Sequence, residues 1–123
     1  MYLIDTNIII WVLRNEKKYI EWFDQIINKT NLGISTITIA EIYKNIYPSE
    51  LINTEVLLDQ FKVFTVTEKI AKQAGLYWQQ FSKINIHLLD CLIAATAKQH
   101  HLKLITLNTK HFPMDDIEVI KPL

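Results

Sequence analysis

The sequence predicts an α/β domain with a central, largely parallel sheet covered by helices on both faces. Three observations carry this. Short apolar or alternating runs that read as strands are interleaved with ten- to fifteen-residue stretches of helical periodicity, no linker, repeat or low-complexity segment interrupts them, and half of the residues are apolar. At 123 residues a single domain over 1–123 is expected, and folding at that size buries roughly two-thirds of the surface an unfolded chain exposes.

Tyr2-Leu3-Ile4 reads as a buried strand, and Asp5-Thr6-Asn7 is a run of N-cap residues that starts a helix through Leu13. Tyr19, Ile20, Phe23, Ile26 and Ile27 recur at three- and four-residue steps and predict an amphipathic helix between Glu16 and Asn28, with Gly33 following as a breaker. Ile34 to Ile37 is expected as a strand. Thr38 and Glu41 then have capping-box spacing, which places Glu41 in the first turn of a helix reaching about Tyr47, with Pro48 behind it. Ser49 to Gln60 continues as helix, Phe61 to Val66 alternates like a strand, and Thr67 caps a helix carrying Ile70, Ala71, Ala74, Trp78 and Phe81. A last helix runs from around His87 to about His100, followed by a strand Lys103–Thr106, a loop Leu107–Asp116 and a final strand Ile117–Ile120.

Composition narrows the function classes. Lys plus Arg and Asp plus Glu number 13 each, and Arg14 is the one arginine, so there is no basic tail or block for nucleic acid. Any polyanion must be gripped locally. The lone Cys91 excludes an internal disulfide and fits a reducing cytoplasm. The N-terminus lacks the pattern of a signal peptide, and Ile8–Leu13 is far short of the ~20 residues a membrane span requires, so a cytoplasmic protein with no membrane segment is expected.

Three carboxylates stand where carboxylates are normally excluded: Asp5 after Tyr2-Leu3-Ile4, Glu41 after Thr38-Ile39-Ala40, and Asp90 within Leu88-Leu89-Asp90-Cys91-Leu92-Ile93-Ala94-Ala95. Burying an ionised carboxylate costs several kcal/mol unless hydrogen bonds, a counter-charge or a metal replaces the lost water. If the fold gathers the three, an all-oxygen donor set favours Mg²⁺ or Mn²⁺. Each has a purely structural alternative. Asp5 follows a strand and would stand on the rim where ligands bind, yet N-capping explains it equally well. Glu41 taken alone is better explained by the capping box. Asp90 shares a helix face with Ile86, Ala94 and Ala97, a small apolar surface that should turn inward, and the helix dipole offsets only about 0.3–1 kcal/mol of its burial.

Four segments together resemble the PIN-domain nucleases, most closely the VapC-type toxins of type II toxin–antitoxin systems: Met1 to Asn7, Thr38 to Ile42, Leu89 to Ala97, and Leu104-Ile105-Thr106-Leu107-Asn108-Thr109-Lys110-His111-Phe112. The likeness covers nearly the whole chain. It implies a three-layer α/β/α PIN-like domain in which Asp5, Glu41 and Asp90 bind Mg²⁺ or Mn²⁺ and activate water for RNA hydrolysis, leaving a 5′-phosphate and a 3′-hydroxyl. It also implies a cognate antitoxin and a homodimer, with transfer RNA or another structured RNA as substrate. One departure matters: the fourth family position is commonly acidic, but here it is Asn108, with His111 three residues on. A neutral amide still offers an oxygen, and the lost charge favours one metal ion over two.

Thr6 and Thr106 are second-shell candidates that would hold a ligand water or carboxylate, or equally satisfy backbone groups at strand ends. Arg14, Lys44 and Lys110 lie near the motifs as phosphate contacts or as ordinary solvated side chains. His100 and His101 are adjacent, point apart on a helix and make no metal pair; His87 falls at a cap, and Asp115 and Asp116 read as turn residues. Two other classes stand beside the nuclease: a degenerate PIN module binding RNA or protein without cutting, kept open by Asn108, and a metal-dependent phosphatase, which the absence of an Asp-x-Asp or P-loop pattern disfavours.

Overall fold

The structure, a computed structural model, describes residues 1–123. Its strands are β1 (Tyr2–Ile4), β2 (Leu32–Ser35), β3 (Lys62–Phe64), β4 (Lys103–Ile105) and β5 (Val119–Ile120). All pair in parallel, in the order β3-β2-β1-β4-β5. The helices are α1 (Thr6–Leu13), α2 (Lys17–Ile27), α3 (Thr36–Asn45), α4 (Leu51–Leu58), α5 (Glu68–Phe81) and α6 (Leu88–His100). The chain winds outward from β1 through β2 to β3, then crosses back to add β4 and β5 on the other side. The reversal lies between β1 and β4, the place where open α/β sheets leave a crevice beyond the strand ends.

Successive strand residues face opposite sides of the sheet and so feed two cores. Leu3 and Leu104 join Ile70, Ala74, Tyr77, Cys91 and the Ala94–Ala95 pair beneath α5 and α6. Ile4, Ile34 and Ile105 join Ile8, Ile9, Phe23, Leu57 and Phe61 beneath α1, α2 and α4. This is the expected three-layer arrangement. Ala94 and Ala97 are fully buried, which lets α6 approach the sheet closely.

The structure corrects several local expectations. Gly33 is not a breaker but lies inside β2, opposite Lys62. A Cβ there would sit 2.5 Å from Phe64 Cε2, so only glycine lets that ring lie across the strand. The strand ends at Ser35, whose hydroxyl accepts from the Ile37 N–H at 3.0 Å and caps α3. Thr38 is therefore inside the helix, and Glu41 falls in its second turn, with no capping box. That helix stops at Asn45, short of Tyr47.

On α5 the inward face is Ile70, Ala74 and Tyr77, while Trp78 is turned half outward. Tyr77 is chosen because its hydroxyl has a partner: it donates to Asp116 Oδ1 at 2.7 Å, and Lys98 Nζ stands 3.0 Å from Asp116 Oδ2. Asp116 is thus an anchor tying the last loop to α5 and α6 rather than an ordinary turn residue. The two bonds hold its carboxyl below the usual range, although partial burial opposes them.

Candidate active site

Asp5 is carried to the rim by the central strand, where its backbone N–H donates to Ile105 O at 2.9 Å as the parallel ladder ends. Its side chain caps α1 by accepting the Thr6 N–H at 2.9 Å, and Thr106 Oγ1 donates to the other carboxylate oxygen at 2.7 Å. Only 6% of the residue is exposed. Burial raises its pKa and the Glu41 charge adds to that, while the bonds from Thr106 and Thr6 partly counter it. The N-cap and the rim placement therefore coexist in one side chain.

Glu41 reaches the same place from α3. Thr6 Oγ1 donates to Glu41 Oε1 at 2.6 Å, and the Thr38 hydroxyl lies 3.2 Å from Thr6 Oγ1. Thr38 and Glu41 are three residues apart and so share a face of α3. Asp90 arrives from the first turn of α6 with 18% of its side chain exposed, and His111 Nδ1 stands 3.5 Å from its Oδ2. Burial pushes the Asp90 carboxyl up to about 6, helped by the Asp5 and Glu41 charges and opposed by His111 and His87.

These three carboxylates line one cavity of about 420 Å³ together with Thr6, Asn7 and Asn108. His87, Leu88, Leu89 and His111 complete its wall, and no lysine or arginine enters it. Thr106 stands directly behind Asp5; its hydroxyl also accepts the Asn108 N–H at 3.1 Å, which links the neutral fourth position to the central carboxylate. Asn7 and Thr38 were not anticipated in this role. Asn7 looks like one more capping residue, and Thr38 looked like the cap itself. Arg14 is 3.8 Å from Glu50, Lys44 sits in the last turn of α3, and Asp116 is bound to Tyr77 and Lys98; none of the three lines the cavity.

Whether a cation suits this cavity can be judged from its donors. Beside the imidazoles of His87 and His111 they are hard oxygens, two of the three carboxyls are held at raised pKa by burial and mutual repulsion, and the walls supply no permanent counter-charge. No three His, Cys, Asp or Glu side chains close on a common point as a ready-made cage. That combination matches Mg²⁺, which dehydrates reluctantly, keeps several waters and commonly takes only one or two carboxylates directly. Asp5, Asp90 and Glu41 would be the donors to such an ion, and the Thr106 hydroxyl orients Asp5. Thr106→Val is expected to weaken metal binding and activity by about 10–100-fold, the usual effect of losing such a support; calorimetric titration with Mn²⁺ checks it, and an unchanged affinity would remove Thr106 from the site.

Sheet order, an acidic cavity at the topological switch point and carboxylates delivered by three different elements define a parallel α/β protein with a rim site. The chain belongs to the PIN domain family, whose model matches residues 2–116. Among its relatives, Ribonuclease VapC10 of Mycobacterium tuberculosis is 36% identical over 124 residues, spanning 99% of this chain and 92% of that protein. Toxin FitB of Neisseria gonorrhoeae is 30% identical over 140 residues, spanning 99% and 98%. A solved toxin–antitoxin complex from Klebsiella pneumoniae contains a chain of the same fold, with a TM-score of 0.82, 28% identity and coverage of 100% and 98%.

Proposed function

We propose that this chain is a Mg²⁺- or Mn²⁺-dependent endoribonuclease, the toxin of a toxin–antitoxin pair, that hydrolyses RNA phosphodiester bonds with water as the nucleophile. The observation that carries this is the meeting of Asp5, Glu41 and Asp90 on one cavity that no lysine or arginine enters. A bound hydrated divalent ion supplies a water of lowered pKa and polarises a phosphoryl oxygen. Asp5 and Asp90 would hold it, with Glu41 as a further oxygen donor. Thr106 and the Thr6 N–H fix both Asp5 oxygens, and the Thr6 hydroxyl fixes one oxygen of Glu41, so the carboxylates are set before RNA arrives. Asn108 contributes a neutral amide, and the missing charge supports a single ion.

Relatives named ribonucleases and toxins support the substrate class and the toxin role, and their solved complexes support a cognate antitoxin. Exposed Tyr47, Ile52 and Val56 on one side, and Leu76 and Trp78 on α5, offer apolar surface for that partner and for a homodimer. No helix is long and apolar enough to cross a membrane, and the buried free Cys91 suits the cytoplasm in which we place the protein.

The test is cleavage of an end-labelled transfer-RNA pool by the purified, partner-free protein in Mg²⁺, Mn²⁺ or EDTA. Cutting in either metal, its loss in EDTA, and 5′-phosphate product ends are expected. Intact RNA together with no calorimetric binding of Mn²⁺ would replace this reading with a non-cutting PIN module.

A further inference from the structure

Beside the acidic cavity lies a second one of about 300 Å³, and the two share three wall residues: His87, Asp90 and His111. The His87 and His111 rings meet edge to face, their centroids 6.1 Å apart and their planes at 65°, and form the ridge between the cavities. The rest of its lining is Ile84, which ends the tight turn Ser82–Ile84, Asn85 in the left-handed conformation with a φ of 59°, Ile86, Lys110 and Pro113. The negative charge is confined to one side of the ridge. The first cavity contains three carboxylates and no cationic side chain, whereas the second contains Lys110 and faces only one carboxylate, Asp90.

Lys110 is free for a ligand. Eight lysines, Lys110 among them, have no carboxylate within 4 Å, and Lys110 is the one that lines this cavity. His87 occupies the N-cap position of α6 without making a side-chain capping bond, so its ring remains available; in either protonation state an imidazole offers an N–H.

We propose that this second cavity seats the phosphate next to the scissile one on the same RNA strand, with Lys110 supplying the charge and His87 a hydrogen bond. A polynucleotide presents phosphates at regular intervals, so one strand laid over the ridge places one phosphate over the carboxylates and its neighbour against Lys110. The consequence is a preference for chains over isolated phosphodiesters. This rests on the ribonuclease function proposed above, and the measurements below separate the two.

Lys110→Ala and Lys110→Arg are compared with the unaltered protein on a labelled transfer-RNA pool and on bis(p-nitrophenyl) phosphate, which carries a single phosphodiester. For Lys110→Ala, KM for RNA is expected to rise about tenfold, as for loss of one charge-assisted contact, with kcat within about twofold. Hydrolysis of the small diester is expected to stay unchanged, and Lys110→Arg to restore the RNA KM. Fluorescence anisotropy of the labelled RNA in EDTA should show the same weakening, with the dependence of log affinity on log salt shallower by about one. Unchanged RNA affinity and KM, or an equal loss on both substrates, overturns the assignment while leaving the nuclease intact. If the unaltered protein cuts neither substrate and binds no Mn²⁺, the ribonuclease function fails, and the anisotropy comparison alone decides whether Lys110 holds phosphate.

Discussion

Asp90→Asn is expected to lower RNA cleavage by about 10²–10³-fold or more, the scale on which loss of one preorganised electrostatic contact to a transition state is felt. The substitution keeps the shape while removing the charge and turning one acceptor oxygen into an N–H donor, and Asp90 makes no capping or threonine bond that the change would break. Asp5→Asn should be at least as damaging, because Asp5 also accepts from the Thr6 N–H and the Thr106 hydroxyl and the amide can accept at only one atom. Initial rates on labelled RNA in saturating Mn²⁺ measure both, with circular dichroism to verify folding. A folded Asp90→Asn protein that retains cleavage within tenfold would remove Asp90 from the reaction.

The same substitution should act in the opposite direction on stability. Asp90 titrates at about 6 in the fold against an ordinary 3.8, because burial and the Asp5 charge disfavour its ionised form. A folded-state pKa above the unfolded one means full stability below pH ~4 and a loss as pH rises through about 6. By pH 7 this amounts to on the order of 2–3 kcal/mol. Metal-free Asp90→Asn should therefore melt roughly 5–10 °C higher than the unaltered protein at pH 7.5, with the difference closing near pH 4 and narrowing when Mg²⁺ is added. Calorimetric scans at several pH values in EDTA give the comparison. A variant of equal or lower melting temperature at pH 7.5 would show that Asp90 is not strained by its surroundings.

Asp90 was legible in the sequence because it interrupts an apolar run, a violation of patterning that no fold tolerates without a reason, whereas Asp5, at the end of its strand and followed by Thr6 and Asn7, read equally well as an N-cap. The alternation of strands and helices was legible for the same cause, since burial imposes its period on the residues. What could not be read depends on partners distant in the chain. Gly33 resembles a breaker until Phe64 lies across it. Ser35, Thr36 and Thr38 are all plausible caps, and the choice is made where β2 stops pairing with β3, at Ser35 opposite Phe64. Tyr77 faces inward in place of Trp78 because Asp116 waits for its hydroxyl. The second cavity was invisible, being built from a 3-10 turn, a left-handed asparagine and a loop, none of which carries a periodic signal.

The bond from Thr106 to Asp5 joins residues 101 positions apart, and β1 is held on one side by β4. Closing so long a loop is slow, because its entropy is lost before any contact forms to offset it. A chain emerging from the ribosome therefore displays Asp5 101 residues before the threonine that supports it. Until β4 has followed, β1 lacks its neighbour on that side and the cavity lacks the wall that Asn108 and His111 supply, so the acidic site is not yet assembled.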